Sequence, residues 1–339
     1  MFDLLNFTII FLISDMKPVV SLSSPDVFIQ GDGYKEPMPY GPMEIRIDMG
    51  ENIYIRESGD EHERIIKFDS TGIFAYTIDS LSIPSLDRIS FGSMTIDPLS
   101  NDLIISGKGI PKDTNIDPRT VPSIKIKWYI FIFSSKGELL RTIASSFLTG
   151  RFVHDYEGSF YMDFEPDYVQ FDNDFNYVKK INRSDVNMWG YSQWSNWIVA
   201  GVNVGIEYTV SDSRAGKFLI KLKNIKTKKL LSFSFFDPPQ HSFGGYVEGQ
   251  DRDGNIYLNI YHGYIRINPV TKKLAIVYPV ALKIPSGGGD VGHGNAISPN
   301  GCIYIARLVR DELSNNLKYN IYRITPNLFQ EKECEVKTQ

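Results

Sequence analysis

One short pattern recurs along this chain of 339 residues, and its spacing limits the fold more than any other feature. Residues 45–55 read IRIDMGENIYI, and residues 247–260 read VEGQDRDGNIYLNI, with the same Asp, the same gap of three, and then Asn-Ile-Tyr. A third copy, GNAISPNGCIYIA at 294–306, has Ser298 where the Asp stood. Weaker copies surround Asp97, which has one extra turn residue, and Asp155; similar text without the Asp runs through Asn203. The six anchors at 48, 97, 155, 203, 251 and 298 lie 49, 58, 48, 48 and 47 residues apart. Self-similarity at such a period marks an architecture in which each unit buries its faces against its neighbours.

Alternation and turn chemistry divide each unit into short strands. In the fifth, an inner strand ends at Asp251, Arg252-Asp253-Gly254 reverses the chain, and strands follow over 255–261, 264–267 and 273–278. The first unit has the same order over 43–48, 52–56, 64–68 and 74–78, with Asp69-Ser70-Thr71-Gly72 as its last turn. No helical periodicity of ten residues or more is present; the best candidate is the polar stretch 311–317. The expected fold is therefore all-β, a six-bladed β-propeller of four-stranded antiparallel blades. It occupies 42–339 as one domain behind an N-terminal segment, 1–41. Packing blade on blade covers sheets that are apolar on both faces, and 21 Phe, 19 Tyr and 4 Trp supply the bulk. The last unit offers strands at 295–298, 302–306 and 319–324 and only the polar 331–336 as a fourth. Residues 27–30 (VFIQ), upstream of the first blade, are expected to close the ring there instead.

Composition narrows the function. A net charge of −4 and a pI near 5.8 give no positive field to draw nucleic acid or an anionic membrane. Cys302 and Cys334 cannot form a disulfide framework or a Cys-based zinc site, and their pairing is left open. The apolar run 4–13 (LLNFTIIFLI) is too short to span about 30 Å of hydrocarbon and predicts no transmembrane anchor. It has the length of an export signal but lacks a basic start and a small-x-small cleavage site. Export to the periplasm or exterior is the favoured specific location, with the cytoplasm as the other. A monomer is expected.

The pattern of an apolar strand ending in Asp, a Gly-Asn turn and then Ile-Tyr-aliphatic, as in Asp251-Arg-Asp-Gly-Asn-Ile-Tyr-Leu, resembles NHL-type repeats and related six-bladed propellers of bacterial exported proteins. It covers 42–325. The resemblance implies architecture only, since such families include scaffolds, ligand binders and metal-dependent hydrolases or lyases.

The turn aspartates Asp48, Asp97, Asp155 and Asp251 are expected to cap backbone N–H groups rather than to ring a metal. His154 and His262 are read as turn or interblade packing residues. The loop 286–294 has five glycines in nine residues, with Asp290 and His293, and leads to Asn295; the loop of the preceding blade carries His241, Tyr246 and Glu248. Glycines here permit close backbone approach to a ligand. With Trp194, from the cluster Trp189, Trp194 and Trp197, the candidate ligand-binding set is His241, Tyr246, Glu248, Asp290, His293, Asn295 and Trp194, flanked by the excursion 107–121. Lys221, Lys223, Lys226, Lys228 and Lys229 are read as protection of an exposed blade edge.

Two functions fit. The first is a non-catalytic propeller that binds a protein, peptide or glycan through its loop face, with no catalytic residue and no cofactor. The second is a lactonase-like, metal-dependent hydrolase or lyase at the channel mouth, which requires a divalent cation held by groups such as Glu44, Glu248 and Asn295.

Overall fold

A computed structural model describes residues 18–23, 42–58, 63–84, 86–112, 126–145, 152–155, 158–164, 167–172, 174–182, 197–198, 204–208, 217–224, 230–236, 245–260, 263–282, 284, 295–310 and 317–338. Strand β1 (Val20–Ser23) precedes the first blade, which contains β2 (Pro42–Ile47), β3 (Ile53–Ser58), β4 (Glu63–Phe68) and β5 (Phe74–Asp79). Blade two has β6 (Leu86–Ile96), β7 (Leu103–Pro111), β8 (Lys127–Phe133) and β9 (Leu139–Ser145). Blade three has β10 (Phe152–Asp155), β11 (Phe160–Phe164), β12 (Asp167–Phe171) and β13 (Tyr177–Asn182); blade four opens with the short β14 (Trp197–Ile198), which pairs into the sheet of blade three, and its own sheet is built from β15 (Val204–Tyr208), β16 (Lys217–Asn224) and β17 (Leu230–Phe236). Blade five has β18 (Gly245–Gln250), β19 (Ile256–Ile260), β20 (Gly263–Asn268) and β21 (Lys273–Val277). Blade six has β22 (Asn295–Ile297), β23 (Ile303–Arg310) and β24 (Leu317–Ile324), and the chain ends in β25 (Gln330–Glu331) and β26 (Glu335–Thr338).

Six sheets result, and their inner strands touch in a closed cycle, β2 to β6, β10, β14, β18, β22 and back to β2. The fold is thus an all-β propeller. Alternation explains why neither face of a blade meets water: Ile53, Ile55, Ile66 and Phe68 pack with Tyr304, Ala306 and Ile321 of blade six, while Tyr54 and Ile65 pack with Met94, Ile105 and Phe131 of blade two. Similar seams join blades two and three, four and five, and five and six. Cys302 lies in the seam of blades six and one, Cys334 packs against that of four and five, and both are free thiols.

Turn aspartates fix where strands start and stop. Asp48 Oδ1 accepts from the Gly50 and Asn52 N–H groups at 2.8 and 2.9 Å, and Asp251 Oδ1 from Asn255 N at 2.9 Å. Asp69 and Asp172 do the same at the outer hairpins. Asp48 and Asp251 therefore act as caps.

Three details differ from the sequence reading. The strand paired with β24 is β1, with Val20 opposite Ile321 and Ser23 opposite Lys318, whereas 27–30 lies outside the described residues. The C-terminal strands do not complete blade six: β25 pairs with β21 of blade five and β26 with β17 of blade four. Consequently the blade-four lysines guard no bare edge, because β16, which carries Lys221 and Lys223, lies between β15 and β17 and β26 covers β17. Lys226, Lys228 and Lys229 lie outside the described residues. Residues 107–111 belong to β7 rather than to the excursion after it, of which 113–121 lies outside the described residues. Blade four, the one without a turn Asp or Ser, has its short inner strand β14 in parallel pairing with β10. Among the described residues, no helix is long and apolar enough to cross a membrane.

Candidate functional site

Residues 237–244 and 285–294, which hold His241, Asp290 and His293, lie outside the described residues, as does Trp194. They lead directly into β18 and β22, where three of the expected site residues are described. Tyr246 is the second residue of β18, opposite Asn259. Glu248 sits where the β18–β19 register shifts between Val247 and Gly249. A bulge of this kind re-aims a side chain that regular pairing would place elsewhere. Glu248 is fully buried, and neither carboxylate oxygen has a hydrogen-bond partner.

Loss of solvent raises the Glu248 pKa to about 7. Asn295, the first residue of β22, opposes the shift, followed by Asn259 of β19 and Arg307 of β23. The Asn295 and Asn259 side chains act on the carboxyl as hydrogen-bond donors and Arg307 as a charge, but neither amide reaches either oxygen in good hydrogen-bond geometry. The structure thus brings Glu248 and Asn295 together at the seam of blades five and six. Sequence reasoning missed Asn259 and Arg307. Their signal is a polar residue interrupting an otherwise apolar second strand, Asn259 in IYLNI and Arg307 in IYIARLV.

Glu44, on the inner strand of blade one, has a different environment. Its Oε1 is paired with the Arg46 guanidinium and its Oε2 lies 3.1 Å from Arg56 Nε. Arg46 Nε in turn donates to Met94 O at 3.0 Å and Arg56 Nη1 to Phe91 O at 3.2 Å. Both carboxylate oxygens are therefore taken up in fastening blade one to blade two. Among the described residues, no three His, Cys, Asp or Glu side chains are grouped so as to hold a metal ion.

No family model matches the chain, and no curated protein matches it. Solved structures do. A protein of unknown function from Bacteroides caccae is 10% identical with a TM-score of 0.31, over 89% of this chain and 85% of that one. The NanB sialidase of Streptococcus pneumoniae is 10% identical with a TM-score of 0.42, over 89% and 71%. A GH43 protein, BlXynB, from Bacillus licheniformis is 11% identical with a TM-score of 0.32, over 94% of this chain and 59% of its own length.

Proposed function

We infer that the chain is a non-catalytic binding propeller that recognises its ligand, a protein, peptide or glycan, on the face where the inner strands begin. A glycan matches the side chains best. The carrying observation is Glu248, a fully buried carboxyl whose two oxygens have no hydrogen bond of good geometry and only the loosely placed amides of Asn295 and Asn259 beside them. Such a group is costly unless something donates to it, so a ligand or bound group at this seam accounts for its presence. A carboxylate that only accepts, amides that do both, and a guanidinium that only donates make an alternating set, which suits neighbouring sugar hydroxyls. The NHL-like repeat supports the same reading at the level of scaffold. Of the groups the hydrolase reading offers as metal ligands, Glu44 is already paired with Arg46 and Arg56, which weighs against that chemistry.

The test is a glycan array probed with the full chain, followed by calorimetric titration of any hit against Glu248→Gln and Asn295→Ala. Binding weakened about tenfold or more by both substitutions is expected. Hits indifferent to both, or a ligand turned over by the protein in a divalent-cation reaction that a chelator stops, would overturn the reading.

A further inference from the structure

Blades one and five build the turn after the inner strand in the same way. In blade one, Asn52 Nδ2 and Tyr54 OH both donate to Asp48 Oδ2, at 2.7 and 3.3 Å; in blade five, Asn255 Nδ2 and Tyr257 OH both donate to Asp251 Oδ2, at 2.7 and 2.9 Å. Blade six keeps the tyrosine but has Ser298 at the anchor, and Tyr304 OH reaches Glu51 of blade one at 2.8 Å instead. In each case a phenol fills the space beside the neighbouring blade.

Blade two departs from this plan at two positions. The backbone fixes the equivalence: Asp48 N donates to Asn52 O, Asp251 N to Asn255 O, and Asp97 N to Asp102 O. Asp102 therefore stands where blades one and five have asparagine and blade six has Cys302, and Ile104, two residues on, where all three have tyrosine. An amide donor has become a second carboxylate, and a ring with its hydroxyl has become a butyl group. The space is not refilled. A cavity of about 140 Å³ remains between blades two and three, and its lining combines charged Asp97, Asp102, Asp172 and Arg141 with apolar Ile104, Ile132, Phe160 and Phe175.

His154 supplies an observation independent of the carboxylates. It is 2% exposed and lines the cavity; its Nδ1 is held by Thr95 Oγ1 at 3.2 Å, and no described residue bonds Nε2. Burial lowers its pKa to about 4, against the opposing charge of Asp97, so the ring is neutral at physiological pH and adds no positive charge. In the tautomer that carries its proton on Nδ1 and donates it to Thr95, Nε2 of this cavity-lining ring is an acceptor. Asp102 has Ser100 and a Ser135 backbone contact, and Asp172 caps its own turn, and among the described residues no Lys or Arg is ion-paired with either. Arg141 lies 3.5 Å from Asp174 at the exposed rim.

We propose that this cavity binds a small organic ammonium ion, a primary amine on a hydrocarbon of about benzene size. The volume is close to that of an engineered apolar cavity of about 150 Å³ that takes benzene. Three carboxylates and a neutral imidazole in the lining select a charged amine over a plain hydrocarbon. The site is separate from the seam of blades five and six and does not depend on the function inferred there.

The experiment titrates the full chain with benzylammonium, with benzyl alcohol and toluene as neutral counterparts and Nα-acetyl-lysine amide as a peptide-borne amine. Benzylammonium should bind at least about tenfold more tightly than either neutral compound. Ile104→Tyr, which restores the residue of the other blades, should abolish binding, and Asp102→Asn should weaken it about tenfold without loss of fold. Equal binding of toluene would show an apolar hole only. No binding of benzylammonium, binding unchanged in Asp102→Asn, or tighter binding of the lysine derivative would each overturn the proposal.

Discussion

Replacing Glu248 by Gln should make the protein more stable, by an amount that grows from about pH 4.5 to about 7 and is constant above. In the folded chain the Glu248 carboxyl keeps its proton to about pH 7, because burial opposes charge; in the unfolded chain it ionises near its ordinary value of 4.5. Between those values the folded state binds a proton that the unfolded state has lost, so stability falls as pH rises through the window and levels off above it. At about 1.4 kcal/mol per pH unit the difference is about 3 kcal/mol. Glutamine has the shape of the protonated acid and does not titrate. The variant should match the parent near pH 4.5 and exceed it by about 3 kcal/mol at pH 8. Urea unfolding read by tryptophan fluorescence should then show midpoints that coincide in acid and differ by about 1 M at pH 8, for a slope of about 3 kcal/mol/M. Buried Glu57 and Glu63, whose pKa values burial also raises, affect parent and variant alike and cancel in the comparison. A gap independent of pH, or one that opens on the acid side, would refute the reasoning.

The same substitution at Glu44 should act in the opposite sense: Glu44→Gln removes the buried carboxylate that Arg46 and Arg56 share, leaving Arg56 with Glu63 at 3.7 Å, and should cost about 3 kcal/mol at pH 8 in the same urea assay. His154 has a lowered pKa, so stability is lost as pH falls from about 6.5 toward 4, and His154→Gln should flatten that acid limb of the melting-temperature profile. Asp251→Ala removes the acceptor for Asn255 N, Asn255 Nδ2 and Tyr257 OH and should cost about 1–2 kcal/mol by calorimetry. Deleting residues 1–41 strips β1 from β24 and should lower the melting temperature by several degrees; an unchanged value would show that β1 contributes nothing to closure.

The inner strands and second strands of blades one, five and six were legible because a turn residue ties each pair to the repeat. The strands expected in blade one at 43–48 and 52–56 are found at Pro42–Ile47 and Ile53–Ser58. Glu248 and Asn295 were legible as neighbours for the same reason, since each stands three residues before its anchor, Asp251 or Ser298. Edge strands were not. Residues 20–23 (VSLS) alternate, as suits the outermost strand of a sheet, whereas the run 27–30 (VFIQ) has the look of a strand buried on both faces. The C-terminal strands Gln330–Glu331 and Glu335–Thr338 join distant sheets mainly through backbone bonds, so their partners left no trace in hydrophobic period.

A repeat protein states its own control experiment, because every blade solves the same packing problem. Where Asp48, Asn52 and Tyr54 recur as Asp251, Asn255 and Tyr257, polar groups are satisfied and volume is filled, which accounts for those residues by stability alone. Departures from the plan carry more information. Glu44 and Glu248 are both buried acids on inner strands, but two arginines neutralise the first, while the second has only amides beside it and no hydrogen bond of good geometry. Asp102 and Ile104 break the turn network of blade two, and the neighbouring blade does not move in to occupy the gap. An unpaired buried acid and an unfilled seam both lower stability, and the scaffold shows at its other seams how each could have been avoided. Stability therefore explains the recurring residues and leaves these departures to be explained by what the protein binds.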